Sequence, residues 1–346
     1  MFCGVGSLTL GALEACRALR FAAKVVLAVD DHEPCTSVYR RWLPQSAQAI
    51  ETADIASLVD NHLGARVTAV ERALLDKAGR IDLLLAGPPC QGHSALNNHS
   101  RHDDDRNDLY ARAVRLVEIA EPEVAIIENV VGVTSDRRGA LERGLARLRS
   151  VGYEVRSGMV DLSRLGVPQT RRRHVLLAWQ DAARAKDPSL IAAQWAVPGP
   201  RSVGWAIGDL VASEDLDGGW DEASRPSDRN KQRMAWLHAK PGRFDLPDSL
   251  RPPCHRTAHT YRSMYGKLDW DRPAQTITSG YGSMGQGRYV HPRHPRTLTP
   301  HEAARLQLLP DFLKLSAAGS RKEWSRMIGN AAPWKLSYAV LLDALR

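Results

Sequence analysis

The stretch "LLLAGPPCQGHSALNN", residues 83–98, carries an apolar run straight into two prolines, a cysteine and a polar tail. A short apolar run closed by Gly87 and two prolines reads as a buried strand that stops where the prolines begin. Pro88 and Pro89 fix φ and donate no N–H, so the chain leaves the strand on a stiffened path and the direction of Cys90 is preset. Gly92, His93, Ser94, Asn97 and Asn98 then read as a loop. A free cysteine is most often just a small buried hydrophobe. One that ends a strand and opens a loop stands where open α/β sheets place their reacting groups.

The sequence on either side repeats the pattern of strand and helix. Strands are expected at "KVVLAVD" (24–30), "RIDLLLAG" (80–87), "EVAIIEN" (123–129) and "HVLLAW" (174–179). Amphipathic helical stretches lie between them, among them "NDLYARAVRLVEIAEP" and "RGALERGLARLRSVG", the second ending on a C-cap glycine. The alternation predicts an α/β fold with a doubly wound, mostly parallel sheet of the Rossmann type. Cys90 and Glu128 both fall at strand carboxyl ends, where such sheets bind ligands. From about 181 to 271 the texture changes to scattered tryptophans, prolines and glycines with little periodicity, which suggests a second, smaller, irregular domain. Regular signals return at "TPHEAARLQ", where Thr299 reads as N-cap, Pro300 as the first helical residue and Glu302 as the closing residue of a capping box. A last helix is expected after "GNAAPWKL".

At 346 residues the chain is long enough for two or three domains, and its 43% hydrophobic and 25% charged content is that of a soluble globular protein. No apolar run reaches the length of a membrane span and no signal-peptide pattern opens the sequence, so a cytoplasmic location is expected. Five cysteines without a C-x-x-C pair suggest neither a disulfide framework nor a zinc site, and no metal is expected. A net charge of +8 admits an acidic polymer as partner, although the excess of arginine over lysine also fits genomic base composition.

Near the start, "MFCGVGSLTLG" puts Gly4 and Gly6 ahead of a helix, so that a ligand can approach the backbone at a helix N-terminus. Asp30 ends the following strand, a position from which a carboxylate reaches ribose hydroxyls. Asp54, in "TADIASL", either accepts from an exocyclic amine or caps the next helix. "PPCQ", "ENV" at 128–130, "QTRRRH" at 169–174 and "GN" at 329–330 then follow in order. In that order and spacing the chain resembles the AdoMet-dependent cytosine-C5 DNA methyltransferases of bacterial type, over nearly its whole length apart from the irregular segment.

The residue chemistry agrees. C5 of cytosine is a poor nucleophile until a soft thiolate adds at C6, and sulfur also leaves readily afterwards. The resemblance implies that Cys90 is this nucleophile and that Glu128, holding or sharing a proton, acts at N3. Arg171 and Arg173 alternate along an extended segment and face one way. By resemblance Arg173 contacts the cytosine O2 and Arg171 orients the thiol and base, with phosphate as the alternative ligand of either. The implied S-adenosyl-L-methionine pocket takes in Phe2, Gly4, Gly6, Asp30, Asp31, Asp54, Ile55, Pro88, Leu109 and Asn330.

The implied partner is double-stranded DNA whose target base is extruded from the stack. The loop after Cys90 together with "HSRHDDDRND" would close over it, the chain acting as a monomer with no membrane involved. A companion restriction endonuclease is a further candidate partner. The implied domains are an AdoMet-binding catalytic domain over 1–180 with 329–346 returning to it, a target-recognition domain over 181–298, and connecting helices over 299–328.

The sequence departs from the family pattern at several points. It opens inside the first motif, so the sheet is expected to lack most of its first strand; Ser7 replaces a common glycine; Asp31 stands where a bulky ring often meets adenine; and His93 replaces an aromatic residue. Two other readings stay open at this point: an RNA-directed relative, whose Cys-Phe-Thr triplet is absent here, and a catalytically impaired DNA-binding relic. A zinc deaminase is set aside because no H-x-E precedes "PPC" and no second cysteine follows it at the needed spacing.

Overall fold

The computed structural model describes residues 1–89, 108–135, 139–211, 218–256 and 263–346. They form two compact units, the first made of Met1–Leu165, Arg172–Ala196 and Trp334–Arg346, the second of Gly166–Arg171 and Val197–Pro333.

The first unit is α/β. Its strands are β1 (Ala28–Asp30), β2 (Ile50–Thr52), β3 (Leu83–Ala86), β4 (Val124–Asn129), β5 (Glu154–Asp161) and β6 (Arg172–Trp179). β1 pairs with β2 in parallel, and β3, β4, β6 and β5 follow in that order in a second ladder. β3 and β4 are parallel, while β6 runs antiparallel to both neighbours, so β5 points the same way as β4 and β6 alone is reversed. All six residues of β4 are buried, as expected of an apolar "VAII" run covered on both faces. Val29, Leu84, Ile127, Val155 and Leu176 share one core with apolar residues of the helices Asp108–Ala120 and Ala140–Ser150.

The four expected strands all form, but "KVVLAVD" is a strand only from Ala28 onward. β2 and β5 carry no clear alternation of burial and were not expected: "IET" is three residues long, and Glu154, Arg156 and Ser157 break up β5. The segment read as irregular is in fact helical in good part, with helices Pro188–Gln194, Val203–Val211 and Asp228–Ala239. These helices were hidden because each is short or weakly patterned. Asp228–Ala239 is polar along most of its length and buries Met234 and Leu237 in a small core with Leu246, Met284 and Val290. The Thr299 capping box forms as expected, with Glu302 returning to the Thr299 amide.

A buried ion cluster ties the helices of the first unit together. Arg115, 1% exposed, lies 2.8 Å from Glu71 and 3.2 Å from Glu118, and also donates to the carbonyl of Ala65. Burial pushes the Glu71 carboxyl up, but hydrogen bonds from Arg115 and the Thr68 amide outweigh it and hold the carboxyl below its ordinary value. Removing Arg115 leaves Glu71 buried without a cationic partner, while Glu118 keeps Arg147 at 2.5 Å. Arg115→Met is expected to cost about 3 to 5 kcal/mol in urea unfolding, and Arg115→Met with Glu71→Leu to recover part of that loss.

In the second unit His301 is clamped between Asp221 (2.8 Å) and Asp311 (3.1 Å). Burial opposes its charge, but the two carboxylates prevail and its pKa is raised, while Asp311 is drawn down to about 2. A raised histidine contributes stability that is complete below the free imidazole value, about 6.5, and fades as pH climbs through the folded value. The Asp311 contribution is present above the free carboxylate value and is lost as pH falls toward about 2. Thermal melts of His301→Gln are therefore expected to fall below the parent at pH 5.5 and to converge with it at alkaline pH; parallel curves would show that the clamp is not linked to protons.

Candidate active site

The chemistry collects where β3 and β4 end. β3 leaves through Gly87 and the buried Pro88. A Cβ placed on Gly87 would stand 3.7 Å from Glu128 Oε2 and 3.7 Å from the Phe2 carbonyl oxygen, so three separate segments meet there. Glu128 is 7% exposed, and its Oε1 lies 2.7 Å from Arg173 Nε. The ladder explains the pairing. Glu128 faces Val175 across β4 and β6, and Arg173, two residues along β6, projects on the same side as its diagonal neighbour. Arg173 also donates from Nη1 to the Arg172 carbonyl at 2.8 Å, which fixes the guanidinium. A nearly buried charged pair of this kind is held tightly, since either partner alone would be left unpaired in a poorly solvated site.

Arg171 and Arg173 are buried with exposed Arg172 between them, the alternation expected of an extended segment. Arg171 belongs to the second unit, where its Nη1 donates to the Ile277 carbonyl at 3.1 Å; Arg173 belongs to the first. Cys90 and the loop 91–107 lie outside the described residues. The described chain runs up to Pro89, and Gly87 lies beside Glu128.

The glycine-rich opening forms a tight loop ahead of the helix Ser7–Ala18. Gly6 has φ +80°, and a Cβ there would run into Trp42 at 2.7 Å and Tyr39 at 2.9 Å, so only glycine fits. The Trp42 indole also donates to the Val5 carbonyl at 2.8 Å, bracing the loop from behind. Gly4, at φ +52°, faces open space on its Cβ side. One face of the loop is thus packed shut and the other accessible, which suits close approach of a ligand to backbone N–H groups.

Asp30 Oδ2 accepts from the Gly4 amide at 2.8 Å and Oδ1 from the His32 amide at 3.0 Å. Burial raises its carboxyl above the ordinary value against the pull of those two bonds. The Asp30 carbonyl accepts from Ala53 at 3.0 Å and so brings Asp54 and Ile55 alongside. Asp54 accepts from the Ala56 amide at 2.9 Å and caps a short turn, the second of its two expected roles. Ile55 belongs to the main core, and Phe2 and Leu109 pack against it. Asp31 is exposed. Asn330 ends the helix Arg321–Asn330 of the second unit and is exposed.

Three contributors escaped the sequence reading. Asn129 accepts from the Val130 amide at 2.7 Å, and its buried Nδ2 has no partner among the described residues. Opposite it on β6, buried His174 has its pKa lowered to about 4 by desolvation and likewise an unpartnered Nδ1 among the described residues. Gln169, wholly buried, donates to the Leu306 carbonyl (2.9 Å) and to Gln307 Oε1 (2.7 Å) and accepts from the Ile277 amide (3.0 Å), anchoring the segment that carries Arg171. The only hint of the last was a glutamine ahead of an arginine run.

Among the described residues no cluster of potential metal ligands occurs, and no helix is long and apolar enough to cross a membrane. The model of the C-5 cytosine-specific DNA methylases matches residues 1–345. The chain is 41% identical over its full length to the type II methyltransferase M1.BsuMI of Bacillus subtilis, covering 79% of that protein. It is 30% identical over 98% of its length to the type II methylase M.HgiDII of Herpetosiphon aurantiacus, covering 92% of that one. Among solved structures it resembles DNMT2 of Spodoptera frugiperda, with a TM-score of 0.63, 17% identity and coverage of 100% of this chain and 98% of the other. The two glycines before a helix, the carboxylate ending β1, and the Glu128–Arg173 pair beside the Pro-Pro-Cys exit therefore stand in a chain that belongs to the C-5 cytosine-specific DNA methylase family, whose members transfer a methyl group from S-adenosyl-L-methionine to C5 of cytosine in DNA.

Proposed function

We propose that this enzyme methylates a cytosine swung out of duplex DNA, with Cys90 as covalent nucleophile and Glu128 as the group acting at N3. The observation that carries this reading is the buried Glu128–Arg173 pair set against Gly87, three residues before Cys90 in the sequence. The Cys90 thiolate adds to C6, and the electron density this places in the ring is made available at C5 as Glu128 hydrogen-bonds to or protonates N3. The bound cofactor supplies an electrophilic methyl group to C5. Loss of the C5 proton then lets the thiolate leave, and the ring regains its aromaticity with one hydrogen replaced by methyl.

In this reading Arg173 holds the Glu128 carboxyl in position and is placed to meet the O2 edge of the base, while Arg171 orients the thiol and base. Gly4, the helix start at Ser7, Asp30, Asp54, Ile55, Phe2, Pro88 and Leu109 hold the cofactor, and Asn330 closes its pocket. The accessible face at Gly4 and the positive end of a helix with no acidic residue in its first turn fit a carboxylate-bearing nucleoside ligand. Residues 181–298 read the target sequence, and the enzyme acts as a cytoplasmic monomer. Identity of 41% to a type II methyltransferase favours DNA over RNA. Transfer of label from S-adenosyl-L-methionine to duplex DNA but not to tRNA is the direct test, and label appearing only in tRNA would overturn the assignment.

Cys90→Ala is expected to reduce methyl transfer to background while DNA binding persists, and duplexes carrying 5-fluorocytosine at the target should become covalently attached to the parent enzyme alone. Glu128→Gln and Arg173→Ala are each expected to lower kcat by about 10²- to 10⁴-fold with smaller changes in KM. A purely structural Arg173 would instead lower the melting temperature and leave kcat of the folded fraction intact.

A further inference from the structure

The positive charge of the chain is unevenly shared. The second unit holds 21 lysines and arginines against 14 aspartates and glutamates, which accounts for +7 of the net +8. The charge is densest between residues 225 and 243, where Arg225, Arg229, Lys231, Arg233, Lys240 and Arg243 are accompanied by a single carboxylate, Asp228. That carboxylate is taken up locally by Lys231 at 2.8 Å. Most of this segment is the helix Asp228–Ala239.

The helix is fastened on one face and bare on the other. Met234 and Leu237 sink into the small core they share with Leu246, Met284 and Val290. Arg233 donates to the Leu250 carbonyl and to Asn230 Oδ1, both at 2.8 Å, and the Lys267 ammonium donates to the Leu237 carbonyl at 3.0 Å. The mount is therefore held from both halves of the helix. At 3.6 residues per turn, Asp228, Gln232, Ala235 and Ala239 share the face opposite this core, and all four are exposed. Arg229 and Lys231 stand on the two sides of that face. Among the described residues neither Gln232 nor Arg229 has a bonded partner. An ordinary solvated helix alternates its charges and gains from pairs one turn apart. This one makes a single such pair and otherwise presents an amide, two alanines and cations.

We propose that the helix Asp228–Ala239 enters the major groove of the target duplex, with Gln232 reading a base edge and Arg229 and Lys231 gripping the phosphates on either side. The inference rests on the reading that residues 181–298 recognise the target, and it names the element and the residue that do so. A helix with its side chains is about 10 to 12 Å across, and the major groove is about 12 Å wide. Ala235 and Ala239 keep the outward face thin, so the helix can settle close to the base edges. The Gln232 amide offers an acceptor and a donor side by side, which match the N6 amino group and N7 of adenine. The target then contains an A·T pair where Gln232 meets it. Salt-sensitive grip comes from the flanking cations and sequence choice from the amide.

The test incubates the full chain with duplexes carrying a randomised stretch and sequences those it retains, a readout that needs no methyl transfer. The parent is expected to enrich sequences with an A·T pair that Gln232→Ala no longer requires. Discrimination at that pair should fall on the order of ten- to a hundredfold while the other positions hold. Alanine favours an exposed helix, so the melting temperature of this variant should match the parent. Arg229→Gln is expected to weaken retention of all sequences alike and to reduce the slope of log affinity against log salt by about one. An unchanged base preference in Gln232→Ala, or an unmoved salt slope in Arg229→Gln, overturns the proposal. If the preference moves instead with Gln286→Ala, at the exposed end of the turn Met284–Gln286 in the same unit, the helix is excluded and the wider reading of residues 181–298 stands. A parent that enriches no sequence overturns both.

Discussion

The site depends on the register of β4 against β6. Glu128 sits opposite Val175, and only this alignment puts its carboxyl on the side from which Arg173 projects. A slip of one residue would turn every side chain of β6 to the opposite face. The slip is prevented by burial, since β4 is enclosed on both sides and nearly the whole of β6 is too, so any misalignment would expose Ile126, Ile127, Leu176 or Leu177 or force them against polar neighbours. The apolar run that makes β4 a strand is therefore also what aims its terminal carboxylate.

The glycine-rich loop at the start of the chain is built on a different constraint, close packing of backbone against rings. Gly6 is pressed against the stacked pair Tyr39 and Trp42, whose centroids are 5.2 Å apart, and Asp30 ties the loop to β1 through the Gly4 amide. The loop is shaped from behind and from the side, with open space on the Cβ side of Gly4. Asp54 spends one oxygen on capping the next turn, so the same carboxylate serves local structure and still presents its other oxygen outward.

Arg171 and Arg173 show how a short motif can serve two units. In sequence they are neighbours with a shared direction; in space one is held by the Ile277 carbonyl of the second unit and the other by Glu128 of the first. Gln169 anchors this segment, because three hydrogen bonds fasten it within the second unit three residues before the chain enters β6 at Arg172.

Much of this was legible in the sequence. Strong periodicity and terminal signals located β3, β4, β6, the two central helices and the Thr299 cap, and the ordered motifs marked the family, because those features depend on residue type and local spacing alone. Strands β2 and β5 and the helices of residues 188–239 were not legible: they are short or polar, and their pairing energy comes from neighbours far along the chain. The pairing of Glu128 with Arg173 and the burial of the Asn129 and Gln169 amides were decided only by tertiary structure. Each depends on which groups of distant segments come within bonding distance, and one-dimensional spacing does not encode that distance.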